Sequence, residues 1–287
     1  VALDHVNFQL LPGEVHVLLG ENGAGKSTLI KVLSGAYRAD EGEIFIEAKK
    51  VDINSPQDAI DRGLRFIYQE INLVQEIDIA RNMFLGVEPM RPIPGIIDQK
   101  KLYSQAASLL KRFHINLDPT EVVSKLSVTQ QKMVEIARAL TKQAKVIVLD
   151  EPTDVLEDRS RQDLFQVIEQ LKSEHGIGFI YISHRYAEVY ELGDRVTILR
   201  DGKNVGAYAI EDITFETMIE KMIGGQIKKQ YPALPAISGD NALRVEALSR
   251  KGVLHDIDLT VKKGEIVGIT GLMGAGKTEL GRAIAGV

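Results

Sequence analysis

The chain has 287 residues, a length that suggests two ordinary domains or one large one. Hydrophobic residues make up 44% and charged residues 26%, as in globular proteins, and the net charge of −5 argues against a dedicated nucleic-acid binder. The absence of cysteine excludes disulfides, thiolate metal sites and cysteine nucleophiles, and no apolar run approaches the ~20 residues of a membrane helix, so any link to a membrane is expected to run through a partner.

The first part of the chain is predicted to contain short strands around a glycine-rich loop. Alternating apolar residues predict a strand over residues 1–11, and the β-branched run at 14–19 predicts a buried strand. The loop at 20–26 then leads into a helix whose apolar residues have helical spacing. Two more strands are predicted at 42–46 and 64–68.

Helical patterns dominate residues 71–144, which we interpret as a helical subdomain inserted into a sheet-based core. One helix is predicted over 98–114 with Asp98 as its cap, and another over 127–141. Beyond them we predict strands at 145–149 and 178–183, an amphipathic helix at 159–174, and a hairpin at 195–208 with an Asp-Gly turn. Strands that alternate with helices favour a mostly parallel sheet.

A long sequence repeat organises the chain. Residues 11–36 reappear as residues 262–287, at an offset of 251. We therefore predict a first domain at 1–230, a linker at 231–241 and the start of a second, truncated domain at 242–287. Both ends of the chain are interpreted as cut, so we expect a fragment of a longer protein.

The segment GENGAGKS, residues 20–27, has the spacing of a phosphate-binding P-loop. Glycines let backbone N–H groups curl around phosphate oxygens, and the following helix directs the positive end of its dipole at the same charge. Lys26 is predicted to reach the β- and γ-phosphates, and the Ser27 hydroxyl to reach Mg²⁺. The candidate nucleotide-binding residues are Gly20, Glu21, Asn22, Gly23, Ala24, Gly25, Lys26, Ser27 and Thr28.

The same pattern occurs again at residues 271–278, as GLMGAGKT. A chance glycine-rich turn would not be expected twice in the same strand–loop–helix context. The candidate residues of this second P-loop are Gly271, Gly274, Ala275, Gly276, Lys277 and Thr278.

The apolar run KVIVLDE, residues 145–151, predicts a strand that ends in two carboxylates. In a P-loop ATPase such a strand lies beside the P-loop strand, and its acid helps to hold Mg²⁺. Asp150 is the candidate metal ligand, and Glu151 is positioned to act as the general base that polarises an attacking water.

Five ordered motifs together resemble the ABC-type ATPases. They are GENGAGKS, Gln69 in FIYQE, LSVTQ at 126–130, LDEPT at 149–153, and His184 in YISHR. The segments LSVTQQKMVEIARAL, YISHR and MIGGQ look like those of the ATP-binding subunits of ribose-, galactose- and xylose-type sugar importers. The resemblance implies an α/β P-loop NTPase fold with a mostly parallel sheet, an antiparallel β subdomain and the inserted helical subdomain.

The resemblance also implies roles for residues outside the two strand ends. Gln69 would approach Mg²⁺ and the attacking water, and its loop would sense a membrane permease. His184 would contact the γ-phosphate. Ser127, Thr129 and Gln130 would bind the γ-phosphate of ATP held by an opposing nucleotide-binding half, although Ser127 is also a good helix cap.

The sequence departs from the family pattern at several positions. Val128 and Thr129 stand where most members have two glycines, and Glu157 stands where an aspartate is usual. The aromatic residue that stacks on adenine in the family is expected upstream of Val1. The second P-loop is not followed by its own set of partner motifs, so no complete second catalytic site is expected in this chain.

The main functional hypothesis is an ATPase that powers a monosaccharide importer, with ATP and Mg²⁺ as cofactors. It would lie peripherally on the cytoplasmic face of the inner membrane. Its expected partners are integral-membrane permease subunits, indirectly an extracytoplasmic sugar-binding protein, and a second nucleotide-binding half paired head to tail, with no nucleic acid.

Three alternatives remain open. A soluble ABC ATPase without a permease would usually show charged linkers, coiled-coil insertions or basic patches, which this chain lacks. A GTPase would need an Asn/Thr-Lys-x-Asp motif, which does not occur. A nucleotide-gated binding module that barely hydrolyses is the third, and turnover at saturating ATP would separate it from the main hypothesis.

Overall fold

The computed structural model describes residues 1–93, 95–154, 156, 158–225, 239–271 and 274–286. The chain separates into two compact units, Val1–Ile227 and Lys228–Val287. The predicted linker at 231–241 lies mostly outside the described residues, so the predicted domain limits stay predictions. Among the described helices, none combines the length and apolarity needed to cross a membrane.

The described part of the first unit contains eight strands and eight helices. The strands are β1 (Val15–Leu19), β2 (Ile44–Ile46), β3 (Lys49–Val51), β4 (Leu64–Ile67), β5 (Val146–Asp150), β6 (Gly178–Ile182), β7 (Arg195–Arg200) and β8 (Lys203–Ala209). The helices are α1 (Lys26–Leu33), α2 (Pro56–Asp61), α3 (Ile79–Phe84), α4 (Gln99–Arg112), α5 (Val128–Ala139), α6 (Asp158–His175), α7 (Tyr186–Leu192) and α8 (Phe215–Ile223).

Six of these strands form one sheet in the order β4-β5-β6-β1-β7-β8. All neighbours are parallel except β7 and β8, which form the predicted antiparallel hairpin. Because parallel strands end at the same edge, the loops that follow β1, β4, β5 and β6 are brought together there. The predicted α/β class with a mostly parallel sheet is confirmed.

The sheet is covered on both faces, which explains why β1 is apolar at almost every position. Val15, Val17 and Leu19 belong to the larger core, which also contains the helical subdomain. Leu18 packs on the opposite face in a second core with Leu29 of α1. At about 25 cal/mol per Å² of apolar surface, this two-sided burial is the main force that fixes β1 beside the P-loop.

The inserted helical region consists of α3, α4 and α5. The predicted cap Asp98 does lie at the start of α4. Asp98 accepts a 3.0 Å hydrogen bond from the Lys101 amide, which satisfies a free N–H group at the start of α4. A small antiparallel element, the β2–β3 hairpin, packs instead with Ala59 of α2 and Leu64 of β4.

The strand predicted over residues 1–11 is wrong. The apolar residues of the pattern are partly buried, as a strand would have them, because Leu3, Val6, Phe8 and Leu10 pack against the second core. However, the Asp4 amide donates to a carbonyl oxygen of the β7–β8 turn and the Asn7 amide to the side chain of Asn204, so no strand ladder forms. At the repeat offset this segment corresponds to residues 252–262 of the second unit, of which residues 254–262 do have a partner strand.

The second unit contains the antiparallel strands β9 (Asn241–Arg250) and β10 (Leu254–Lys262) and the helix α9 (Lys277–Ala285). Residues 265–270, the counterpart of β1, are not in a strand, and Ile266 is 90% exposed. Between residues 242 and 270, only the residues of this hairpin therefore form strands. A central strand of a parallel sheet needs neighbours on both sides, and the described residues of this unit supply none.

Candidate functional site

A pocket of about 540 Å³ opens at the carboxyl edge of the sheet in the first unit. Half of its lining residues come from the P-loop and the start of α1, namely Asn22, Gly23, Ala24, Gly25, Lys26, Ser27 and Thr28. Gln69, Asp150 and Glu151 line it from the ends of β4 and β5. The structure thus places the first P-loop and both predicted carboxylates in one cavity.

The P-loop conformation depends on its glycines. A Cβ on Gly20 would lie 2.5 Å from the Leu199 carbonyl oxygen, a distance that real side chains do not tolerate. Gly25 has a φ of 105°, in the left-handed region, and immediately precedes α1. These positions shape the loop that leads into the N-terminus of α1, and the start of a helix offers free backbone N–H groups and the positive end of a dipole to an anion.

Lys26 lies at the base of this loop. Its ammonium group donates to the carbonyl oxygens of Gly20 at 2.6 Å and Glu21 at 3.1 Å. Burial lowers the pKa of Lys26, and the charges of Glu151 and Asp150 act in the opposite direction. The buried Lys26 ammonium therefore contacts carbonyl oxygens of the anion-binding loop and interacts electrostatically with both carboxylates.

Asp150 ends β5, which is separated from the P-loop strand β1 by β6, so the expectation that the two strands are neighbours is wrong. Burial raises its pKa, while the Lys26 charge lowers it. Ser27 and Gln69 line the same pocket, so a hydroxyl, a carboxylate and an amide oxygen are available there. This all-oxygen set fits the ligand preference of Mg²⁺.

Glu151 has a backbone conformation that is unusual for a residue with a side chain. Its φ is 47°, and its amide donates to the Ile182 carbonyl oxygen at the end of β6. The carboxylate lies 3.3 Å from Nδ1 of His184. Burial and then the neighbouring Asp154 raise the pKa of Glu151, whereas His184 lowers it.

Gln69 and Asp154 complete a cluster around this carboxylate. Nε2 of Gln69 donates a 3.0 Å hydrogen bond to Oδ2 of Asp154, and the other oxygen of Asp154 lies 3.8 Å from Nδ1 of His184. Ligand atoms of Glu151, Asp154 and His184 lie within 4.8 Å of one another, close enough to share a cation. Loops after β4, β5 and β6 supply these groups, as the parallel topology requires.

The start of α5 is elsewhere. Ser127, Thr129 and Gln130 are not among the pocket residues. Ser127 Oγ accepts from the Gln130 amide and Gln130 Oε1 accepts from the Ser127 amide, which is a complete capping box. Ser127 therefore caps α5, and its contact with nucleotide held by an opposing half stays a prediction. Glu157 lies outside the described residues.

The second P-loop has a local form similar to that of the first. Gly276 has a φ of 84° and precedes α9, and Gly274 has a φ of 80°. The ammonium group of Lys277 donates to the Gly271 carbonyl oxygen, as Lys26 does to Gly20. Leu272 and Met273 of this loop lie outside the described residues.

Beneath the first pocket lies a buried carboxylate that sequence reasoning missed. Glu188 of α7 is fully buried and accepts hydrogen bonds from the hydroxyls of Thr153 at 2.7 Å, Tyr181 at 2.9 Å and Ser183 at 2.7 Å. Thr153 is two residues from Glu151, and Ser183 precedes His184. Glu188 therefore links the loops that follow β5 and β6 and fixes their positions relative to each other.

Other pocket residues were also not predicted. Val1, Ala2 and the Asp201–Gly202 turn line the cavity, and Asp154 joins the cluster. The turn was foreseeable, because β7 was predicted in a parallel sheet and its hairpin turn had to lie at the carboxyl edge. Asp154 carried no such signal.

Comparison with known proteins agrees with this geometry. The family model for "ABC transporter" matches residues 3–154. The "Ribose import ATP-binding protein RbsA 1" of Rubrobacter xylanophilus is 49% identical over 287 residues, which are 100% of this chain and 57% of the relative. The "Ribose import ATP-binding protein RbsA" of Geobacillus kaustophilus is 43% identical, over 100% of this chain and 58% of its own length. The chain thus spans a little over half the length of these curated relatives.

Solved structures show the same fold. An ATP-binding cassette of an ABC transporter in its ADP conformation is 28% identical, with a TM-score of 0.66 over 78% of this chain and 92% of that one. A nucleotide-free cassette from an ABC transporter is 27% identical, with a TM-score of 0.65 over 78% of this chain and 89% of its own. A domain of this kind binds nucleotide, and the chain belongs to the ABC transporter family.

Proposed function

We propose that this chain binds ATP with Mg²⁺ in the pocket of its first unit, hydrolyses it, and so powers a sugar importer. The observation that carries the proposal is the convergence of Lys26, Asp150 and Glu151 in one cavity at the end of the P-loop. An anion-binding loop alone would support binding only. The carboxylates beside it supply what hydrolysis needs.

The P-loop residues 20–28 bind the phosphates through backbone N–H groups, and Lys26 neutralises charge on the β- and γ-phosphates. Ser27, Asp150 and Gln69 would hold Mg²⁺, which when bound neutralises further phosphate charge. The Lys26 ammonium already sits between the loop carbonyls and the acids, so a short side-chain movement brings it to the phosphate.

Glu151 acts as the general base by accepting a proton from the attacking water at its carboxylate. Burial and the neighbouring Asp154 raise the pKa of Glu151, which makes its carboxylate a better proton acceptor than that of an ordinary glutamate. In this proposal His184, whose Nδ1 lies 3.3 Å from the Glu151 carboxylate, contacts the γ-phosphate and orients the base. Gln69, held by its hydrogen bond to Asp154, helps to position the water.

Ser127, Thr129 and Gln130 bind nucleotide held by a second nucleotide-binding half. They lie at the start of α5, where an N-terminal helix dipole favours an anion, and they do not reach the pocket of their own unit. A head-to-tail pair would bring them to the opposing pocket. The dimeric structure of a related cassette bound to ADP and Pi, 25% identical with a TM-score of 0.60 over 73% of this chain and 90% of its own, supports such pairing.

The transported cargo is proposed from the relatives, which are named for import of ribose and, in one case from Burkholderia cenocepacia, for ribose, galactose or methyl galactoside. The chain would then act on the cytoplasmic face of the inner membrane against permease subunits, and indirectly with an extracytoplasmic sugar-binding protein. Stimulation of its ATP turnover by sugar-loaded binding protein in permease vesicles tests this assignment.

The experiment that tests hydrolysis compares wild type, Glu151→Gln and the control Glu174→Gln, an exposed carboxylate near the end of α6. We expect Mg²⁺-dependent turnover in wild type and control, and nucleotide binding with little turnover in Glu151→Gln. Binding without turnover in wild type would instead establish the nucleotide-gated binding module. Absence of binding would reject both functions.

A further inference from the structure

We propose that Lys132 and Glu135 of α5 are positioning residues for Gln69. They hold the backbone of residues 68–75, here called the Gln69 loop, and the two side chains together are called the clamp. The inference rests on the proposed ATPase function of the pocket. Helix α5 would then have two roles. Its start presents Ser127, Thr129 and Gln130, and its Lys132 and Glu135 fix the position of Gln69.

Lys132 is a buried lysine directed at a backbone. It is 1% exposed, and its ammonium group donates to the carbonyl oxygens of Tyr68 at 2.7 Å and Gln69 at 3.2 Å. It also forms an ion pair of 2.9 Å with Glu135, one turn along the same helix. The ammonium therefore has three oxygen partners, two of which are the backbone of the Gln69 loop.

Glu135 holds the next part of the same loop. Its Oε1 accepts a 2.9 Å hydrogen bond from the Asn72 amide. Arg138, one turn further on, donates to the Asn72 carbonyl oxygen at 3.1 Å, and Gln131 accepts from the Gln75 side chain at 3.2 Å. One face of α5 thus contacts the loop from its first residue to its last.

The burial of Lys132 makes this clamp hard to open. A buried ammonium loses several kcal/mol of hydration, and its oxygen partners compensate for that loss. Moving the loop away from α5 would leave the charge with Glu135 alone. The loop and α5 are therefore expected to move together rather than to slide past each other.

The hydrogen bonds of the clamp reach the reacting groups through Gln69. The Gln69 side chain donates to Asp154, which lies beside Glu151 and His184. A displacement of α5 is passed to the Gln69 backbone by Lys132 and then to this cluster. An effect of Lys132 on turnover should consequently vanish when Gln69 has no side chain to position.

Lys132 has two other possible roles, a direct effect on Asp150 and a purely structural one. Its charge also lowers the pKa of Asp150, so it could act directly on the metal ligand. That effect would not depend on Gln69. A buried lysine could also be purely structural, in which case its loss would lower the folded fraction without changing turnover per folded molecule.

The first test is a double-mutant cycle on the full chain, with kcat measured per nucleotide-binding molecule for wild type, Lys132→Met, Gln69→Ala and the double variant. We expect Lys132→Met to lower kcat about tenfold or more in wild type, because small misplacements of a catalytic group are costly. In the Gln69→Ala background the same change should alter kcat by less than about twofold. An equal decrease in both backgrounds overturns the proposal and favours the direct effect on Asp150.

The second test does not depend on hydrolysis. Amide hydrogen exchange of residues 68–75 in the nucleotide-free chain should rise at least tenfold in Lys132→Met. The control is Arg195→Met, which removes the partner of another buried carboxylate, Glu14, at the opposite end of the sheet. This control should leave exchange in the Gln69 loop and kcat unchanged.

A double variant covers the case in which Lys132→Met alone does not fold. Lys132→Met combined with Glu135→Leu removes the clamp without leaving a charge buried, so the chain is expected to fold. Rapid exchange of the Gln69 loop in this variant supports the clamp, and wild-type protection overturns it. If wild type shows no hydrolysis, the proposed function fails while the exchange result still stands.

Discussion

The Lys26 ammonium and the Gly20 carbonyl oxygen are joined by a 2.6 Å hydrogen bond that ties the two ends of the P-loop together. Lys26→Ala removes both this tie and the phosphate-binding charge. Because hydrogen bonds to charged groups contribute about 1.5–3 kcal/mol, nucleotide affinity should fall roughly ten- to hundredfold in an isothermal titration. The control Lys31→Ala, exposed near the other end of α1, should bind as wild type does. Wild-type affinity in Lys26→Ala would contradict the pocket assignment.

The acid limb of the pH–rate profile should lie above the usual range of a glutamate. Glu151 must be ionised to accept a proton, and burial and Asp154 raise its pKa. Asp154→Asn removes the negative neighbour, makes ionisation of Glu151 easier, and should shift the acid limb of kcat to lower pH. Asp158→Asn, whose side chain is 92% exposed, is the matched control and should not shift it. If the acid limb of the kcat profile does not shift in Asp154→Asn, the result would argue against Glu151 as the base.

Removal of the buried carboxylate of Glu188 should destabilise the first unit. Glu188→Ala leaves the hydroxyls of Thr153, Tyr181 and Ser183 without their acceptor. We expect a loss of about 2–4 kcal/mol in the free energy of unfolding, measured by urea titration with circular dichroism. Glu191→Ala, exposed on the same helix, should cost less than about 1 kcal/mol. Equal losses in the two variants would show that the network contributes little.

Acid should weaken the first unit through His16. This residue is fully buried in β1, and burial followed by the Arg195 charge lowers its pKa to about 4 from 6.5. Above pH 6.5 both folded and unfolded forms are neutral. Below it the unfolded chain binds a proton first, so the free energy of unfolding falls as pH drops towards 4, by roughly 3 kcal/mol in total.

The variant His16→Gln should reduce the dependence of stability on pH between 6.5 and 4. The free energy of unfolding, measured by urea titration at several pH values, shows this directly. His5→Gln, at an exposed histidine, is the control and should retain the wild-type slope. An unchanged slope in His16→Gln would mean that other groups cause the acid sensitivity.

The second unit should be cut by proteases before the first. Its segment 265–270 is not in a strand and Ile266 is 90% exposed, whereas the matching strand β1 is fully buried. Limited proteolysis read by mass spectrometry should give early cleavage within 242–287 and a resistant product close to residues 1–230. Equal resistance of the two segments would contradict this expectation and the predicted domain limits.

The parts of the fold that follow from local pattern were predictable. The P-loop, the carboxylates at the end of β5, the caps Asp98 and Ser127 and the Asp-Gly hairpin all have short-range signatures. The roles given to these site residues stay predictions, because geometry places them without showing what they bind.

The parts that depend on distant partners were not predictable. Residues 1–11 have the alternation of a strand, but a strand also needs a neighbour, and the pattern carries no information on that. Lys132 looks like an ordinary polar position of α5, yet its partners are carbonyl oxygens more than sixty positions away. Glu188 is similar, since its acceptor role appears only when β5, β6 and α7 are assembled.

The left-handed backbone of Glu151 implies that activity and stability compete at this residue. A φ of 47° strains any side chain other than glycine, by about 1 kcal/mol or more. Glu151→Gly should therefore raise the melting temperature of the first unit while abolishing turnover. The proposed general base therefore occupies a position where glycine would give the more stable fold, so catalysis there would come at a cost in rigidity.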